Sequence, residues 1–228
     1  MPAASDAEAR AALLHAAVMS MAIVGFAISG RLWILAAVGA LSMAEWVRRR
    51  LAAAAEPVRM GLANRITGLR VGLVAGIGLY DPERLIPTAG ILVFIVFALD
   101  GLDGWWARRT KTATTFGAAF DQEADAFLVA MASAALVLAD AAPGWVLVCG
   151  ALRYGYVLVV QGFGLRGEAP RNVIARYVFG TVVTSMGAAL CWPGPVTRTG
   201  MIVATALLAW SFARSFWWSW RGPVRSKD

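Results

Sequence analysis

The chain has 228 residues, 59% of them hydrophobic and only 15% charged, where a soluble domain carries about 25% charge. A mean hydropathy of +0.65, with apolar runs along nearly the whole length, places it among membrane proteins, and the length suits one compact bundle. The net charge of +7 comes almost entirely from arginine, with Lys111 and Lys227 the only lysines. These arginines lie between apolar runs and form no nucleic-acid-binding module, so the basic balance points to an anionic membrane face and not to nucleic acid.

Eight apolar segments are predicted in chain order, at 11–29, 32–47, 66–80, 86–104, 117–139, 144–162, 173–192 and 199–219. All should be helices, because an open strand cannot satisfy its backbone groups in lipid. The expected fold class is therefore all-α, a polytopic membrane helix bundle. The start does not read as a convincing signal peptide, since Asp6 and Glu8 stand beside Arg10 where a basic stretch is expected. His15, the sole histidine, lies in the first run and reads as structural, which leaves Ser–His and Cys–His catalysis without a constellation. Gly30-Arg31 turns the first two segments into a hairpin, and residues 45–62 read as an interfacial helix with Leu51, Val58 and Met60 toward lipid. Asp81-Pro82, Ala142-Pro143-Gly144 and Trp192-Pro193-Gly194-Pro195 break the later pairs. Cys149 and Cys191 sit in apolar stretches as small buried residues, with no disulfide or metal spacing.

Orientation follows from the basic residues. Arg48, Arg49, Arg50, Arg59 and Arg65, then Arg108, Arg109 and Lys111, then Arg166, Arg171 and Arg176, and finally Arg221, Arg225 and Lys227 all fall on the side of the N-terminus when spans alternate. The other side's links hold only Arg31, Arg84 and Arg198. The arginine-rich side is expected to be cytoplasmic.

Four aspartates, Asp100, Asp103, Asp121 and Asp125, stand out in the fourth and fifth segments. Acids in a membrane helix are costly and functional by default. Asp100 and Asp103 are i and i+3 on one helix, while Gly117, Asp121 and Asp125 step by four along the next, so each set shares a face. The turn at Arg108–Lys111 lets the two faces meet around one small volume. Carboxylates so gathered repel one another unless a hard divalent cation sits among them, and Mg2+ or Mn2+ suits oxygen ligands. Gly104, Ala107 and Gly117 leave room for a ligand against the helix backbone or for close helix packing, and Arg108 suits a bidentate phosphate contact.

The stretch Asp100-x-x-Asp103-Gly104-x-x-Ala107-Arg108, eight residues, then Gly117-x-x-x-Asp121-x-x-x-Asp125 resembles the signature of the CDP-alcohol phosphotransferase family, with all eight specified positions filled. Upstream, Asn64-Arg65-Ile66-Thr67-Gly68-Leu69-Arg70 is similar to the family's Asn-x-Ile-Thr-x-x-Arg opening, with Ala63 in place of a frequent proline. The resemblance covers residues 61–222 as a six-helix core, leaving 1–60 as an N-terminal hairpin with its interfacial helix and 223–228 as a cytoplasmic tail. It implies transfer of a phosphatidyl group from CDP-diacylglycerol, or a related CDP-lipid, to a small alcohol with release of CMP. Asp100, Asp103, Asp121 and Asp125 would hold metal, a pair of Mg2+ or Mn2+ ions, and Asp125 would also act as the general base. Asn64, Thr67, Gly104, Ala107, Arg108 and Gly117 would frame the CDP group. A homodimer in a bacterial cytoplasmic membrane, with its active site facing the cytoplasm, is implied in the same way.

The acceptor is read from the arginines. Arg153 lies mid-segment in the sixth span, Arg176 enters the seventh and Arg214 stands near the cytoplasmic end of the eighth. Converging, they would bind a phosphate and favour glycerol 3-phosphate or, second, an inositol phosphate. Separately, Arg176 and Arg214 would snorkel to headgroups. Gln122 and Glu123 depart from the proline or serine that commonly follows the first aspartate in the better-known branches, so the motif does not itself fix the acceptor. An aspartate-rich, Mg2+-dependent membrane prenyltransferase is the alternative enzyme, though it would not require the Gly104, Ala107, Arg108 and Gly117 pattern. A cation transporter using the four acids is the non-enzymatic alternative, though no inversely repeated pair of broken helices is evident.

Overall fold

The structure, a computed structural model, describes residues 6–54, 60–80, 85–110, 114–165 and 173–221; the side chains of Asp103, Ala107 and Arg108 lie outside the described set. The described residues form eight α-helices: α1 (Asp6–Ser29), α2 (Leu32–Ala52), α3 (Leu62–Gly76), α4 (Leu85–Thr110), α5 (Thr115–Leu138), α6 (Leu147–Gly162), α7 (Val173–Cys191) and α8 (Pro195–Arg221). They follow the eight predicted segments one for one, and the all-α membrane bundle is borne out. α1, α8, most of α4 and α7, and α6 together with the turn before it from Gly144 are long and apolar enough to cross a membrane. α2 ends on Arg48, Arg49 and Arg50, α3 has only 15 residues, and α5 carries Asp121, Glu123 and Asp125 in its first turns. In each case charge or shortness, and not a missing helix, sets them apart.

Residues 45–52 do not begin a separate interfacial helix. They complete α2 without a break, because no Gly or Pro stands between Ala40 and Ala52; residues 55–59 lie outside the described residues. α1 and α2 form the expected hairpin. Gly30 supplies the turn with a φ of 65°, a left-handed conformation that costs glycine little.

The core is built around α5. Every residue from Ala126 to Leu136 is buried, as expected of a helix apolar on all sides that others surround. α5 packs against α2, α3, α6 and α7, while α1 covers α2 and α6, α4 lies on α3 and α7, and α8 closes the bundle against α6 and α7. Gly150 on α6 allows a close approach to α5, since a Cβ there would stand 2.6 Å from the Ala130 Cα.

The surface is inverted relative to a soluble protein. Ile28, Leu79 and Val196 are exposed while Asn64, Thr67 and Arg70 are buried. Apolar side chains facing outward cost nothing in lipid, and polar ones must turn inward to find partners. α3 shows this along one helix. Leu62 and Leu69 point out, and the Asn64–Thr67–Arg70 stripe points at α5 and α4. Arg50, Arg109 and Arg221 lie over the rings of Trp46, Trp105 and Trp217, pairs suited to the headgroup level where one end of a side chain is apolar and the other wet.

Candidate active site

The site forms where the C-terminal half of α4, the start of α5 and the polar stripe of α3 meet. Thr114 opens α5 by accepting the Gly117 N–H at 3.0 Å, which satisfies one donor of the first turn and fixes where the helix begins. Asp121 and Asp125 follow one turn apart on one face, as expected from their spacing. One oxygen each from Asp100, Asp121 and Asp125 lie within 4.8 Å of one another. The two acid faces therefore do converge. Asp103 is in the α4 helix one turn after Asp100, but its side chain is outside the described residues, as are those of Ala107 and Arg108.

At the centre of the acids stands Arg70. Its side chain is 1% exposed, and its guanidinium lies 2.6 Å from Asp121 Oδ1, 2.6 Å from Asp125 Oδ1 and 3.0 Å from Asp100 Oδ1. The acids themselves are half-open, at 25%, 39% and 22% for Asp100, Asp121 and Asp125. The cluster is thus closed from below by a cation and open above. Among the described side chains at this point, three carboxylates against one guanidinium leave a negative surplus, and a hard oxygen donor set facing an opening is what a divalent cation requires. The residues present fit such an ion.

The remaining α3 residues line the same region. Asn64 lies beside Gly117, where a Cβ would come within 2.8 Å of the Asn64 Oδ1. Gly117 therefore permits α3 and α5 to close with the Asn64 amide between them. Thr67 is buried and donates its hydroxyl to the Ala63 carbonyl at 3.2 Å. Gly104 is partly buried on α4.

Residues 60–221 match the family model for CDP-alcohol phosphatidyltransferases. The chain belongs to this family. The matched span is α3 to α8, so it contains the acid cluster and leaves out the α1–α2 hairpin. Two similar proteins bear the name CDP-diacylglycerol--glycerol-3-phosphate 3-phosphatidyltransferase. The one from Bacillus subtilis (strain 168) is 32% identical over 142 residues, covering 54% of this chain and 70% of the relative. The one from Escherichia coli (strain K12) is 33% identical over 132 residues, covering 58% of this chain and 65% of the relative. The chain thus spans about two thirds of the length of these relatives. No solved structure matches it. Family membership decides against the prenyltransferase and the cation transporter.

The three arginines read as acceptor contacts stand on three different helices with different neighbours. Arg153 on α6 donates from Nη2 to Glu123 Oε1 at 2.6 Å. Arg176 is exposed at the start of α7. Arg214 on α8 lies over the Trp210 ring at 5.9 Å. Arg70 itself was quoted in the sequence motif but given no role. A charge set among Gly68, Leu69, Val71 and Gly72 in a membrane helix is the signal that identifies it.

Proposed function

We propose that this enzyme transfers the phosphatidyl group of CDP-diacylglycerol to a phosphorylated alcohol, glycerol 3-phosphate first and an inositol phosphate second, releasing CMP. The observation that carries the reading is the convergence of Asp100, Asp121 and Asp125 on facing helices around one opening. The glycerol 3-phosphate named in both relatives supports the first choice of acceptor.

In this reading the acceptor hydroxyl attacks the phosphorus that carries the diacylglycerol. Its proton passes to Asp125, a new P–O bond forms to the acceptor, and the bond to CMP breaks with its electron pair leaving on CMP. Asp100, Asp103, Asp121 and Asp125 would hold a pair of Mg2+ or Mn2+ ions, which supply charge neutralisation of the pyrophosphate. Arg70 holds the Asp121 and Asp125 carboxylates in register with Asp100, so that the groups are oriented before substrate arrives. Asn64, Thr67, Gly104, Ala107, Arg108 and Gly117 are proposed to frame the cytidine and its phosphates, with Gly117 leaving the Asn64 amide room. Arg176 and Arg214 are proposed to meet the acceptor phosphate. Arg153, engaged by Glu123, is assigned a different task below.

The catalytic core is proposed to be 61–222, with 1–60 as hairpin. A homodimer in a bacterial cytoplasmic membrane, its acid cluster toward the cytoplasm, fits the arginine distribution and the need of the donor's water-soluble half for an aqueous opening. The test is CMP release by purified protein in nanodiscs, given CDP-diacylglycerol, Mg2+ and one acceptor at a time from glycerol 3-phosphate, inositol 1-phosphate, inositol, serine and choline. Release with glycerol 3-phosphate, lost with EDTA and lowered by roughly 10²-fold or more in Asp125→Asn, is the expected result. Release with serine or choline alone would overturn the acceptor assignment, and CMP release by Asp125→Asn at the wild-type rate would overturn the base.

A further inference from the structure

On α5 the residue midway between Asp121 and Asp125 faces the other way. Asp121 and Asp125 are four positions apart and share the side toward α3 and α4. Glu123, two positions from each, stands about 200° around the helix. Its side chain is only 6% exposed, and a carboxylate buried to that degree persists only when it is paired. Its hydrogen-bond partner comes from α6, and a histidine of α1 lies beside it without a hydrogen bond. Arg153 of α6 reaches Glu123 Oε1 at 2.6 Å. His15 of α1, with a side chain 2% exposed, brings Nε2 to 3.8 Å from Glu123 Oε2. His15 is held in turn by α2, its Nδ1 lying 2.7 Å from the Ser42 hydroxyl, and its ring meets that of Tyr154 edge-on at 5.8 Å. A few residues away, Trp46 of α2 stacks on Phe116 and Phe120 in the first turns of α5.

Resting on the transferase reading above, we propose that Glu123, His15, Ser42 and Arg153 are positioning residues for the reaction, and that the α1–α2 hairpin, which lies outside the family match, sets the rotation of α5 and so the placement of Asp121 and Asp125. The two halves of the argument sit on one helical turn. Arg70 grips that turn from the α3 side through Asp121 and Asp125, while on the opposite side α6 holds Glu123 through Arg153 and the hairpin packs against α5 with His15 beside Glu123 and Trp46 on Phe116 and Phe120. Side-chain oxygens stand about 5–6 Å from a helix axis, so a turn of α5 by some 20° would move each carboxylate by about 2 Å. A misplacement of about 1 Å at a reacting group can cost on the order of 10²-fold in rate. The hairpin is thereby part of the machinery of the site without touching substrate.

The test uses the full chain in nanodiscs, with Mn2+ affinity measured by electron paramagnetic resonance of the free ion alongside kcat and KM for CMP release. The variants are Glu123→Gln, His15→Ala, His15→Asn and the double variant Glu123→Gln/His15→Ala. Glu123→Gln is expected to weaken Mn2+ binding and lower kcat, each on the order of tenfold, with KM for CDP-diacylglycerol changed less. His15→Ala should act in the same direction. The double variant should be no worse than Glu123→Gln, because both act through one contact. His15→Asn, which keeps a polar group near the Nδ1 position for Ser42, should recover part of the loss. If Glu123→Gln does not fold, the two His15 variants carry the comparison alone. A fall in melting temperature with unchanged Mn2+ affinity and kcat would overturn the proposal and leave the cluster a purely structural tie. Wild-type protein that binds Mn2+ but releases no CMP would sink the transferase reading while the Mn2+ shifts still decide the positioning role. Wild-type protein that binds no Mn2+ would overturn both.

Discussion

Arg70 does two things at once. It satisfies three carboxylates that would otherwise repel, and it occupies the floor of the cluster so that their remaining capacity points to the opening. Removing it takes away the guanidinium that the three carboxylates share. Breaking a fully buried pair costs about 3–5 kcal/mol, and the partial exposure of these acids reduces that to about 2 kcal/mol. A divalent ion bound among the acids would restore the missing charge. Arg70→Ala is therefore expected to melt several degrees lower than wild type in EDTA and to recover most of the difference in saturating Mg2+. The wild-type protein should gain less from Mg2+ over the same range. A variant whose loss is equal with and without Mg2+ would show that Arg70 does not share the acids with a metal. Arg70→Lys should not substitute fully, because a single ammonium cannot reach Asp121 and Asp125 with two separate N–H groups as the guanidinium does.

At the scale of elements, the contact of α3 with α5 depends on the absence of one side chain. Gly117→Leu would drive a branched group into the Asn64 amide, which already lies 2.8 Å from where a Cβ would begin. The expected outcome is protein that folds but releases CMP at least about 10²-fold more slowly, because α3 must shift away from the acids. Gly72, on the same α3, has nothing within 4 Å of its would-be Cβ. Gly72→Ala should leave CMP release unchanged and stabilise the helix by roughly 0.5–1 kcal/mol, so the pair separates a crowding effect from a general sensitivity of α3. The same contrast explains what could be read from the amino-acid order. The helices were legible because apolar runs bounded by Gly and Pro leave few other choices in lipid, and the meeting of Asp100 with Asp121 and Asp125 followed from spacing and a short turn. The continuation of α2 through Arg48, Arg49 and Arg50 was not legible, since a charged stretch after an apolar one looks like an interfacial helix whether or not the helix breaks. The pairing of Glu123 with His15 and Arg153 was hidden for a different reason. It joins residues 30 and more than 100 positions apart on three helices, and nothing local marks His15 as anything but a buried ring.

For the whole molecule, the proposed orientation in the membrane rests on the arginines and tryptophans. Arg50, Arg109 and Arg221, each over a tryptophan, belong to the end that also carries the acid cluster, while Ser29, Trp192 and Thr197 lie at helix ends on the other side. Positive residues are retained on the cytoplasmic face during insertion, and the donor's cytidine and the polar acceptor need water at the acids. Both arguments support the proposed orientation, with the acids toward the cytoplasm. It is measurable because the chain has only two cysteines, Cys149 and Cys191, which can be changed to serine or alanine without touching the acids. In that background, Trp192→Cys is expected to react with a membrane-impermeant maleimide in intact spheroplasts. Arg221→Cys, exposed at the end of α8, should react only after the membrane is opened. The reverse pattern would place the acids on the outer face, away from any cytoplasmic supply of CDP-lipid. It would leave family membership untouched while overturning the direction in which the reaction is proposed to face.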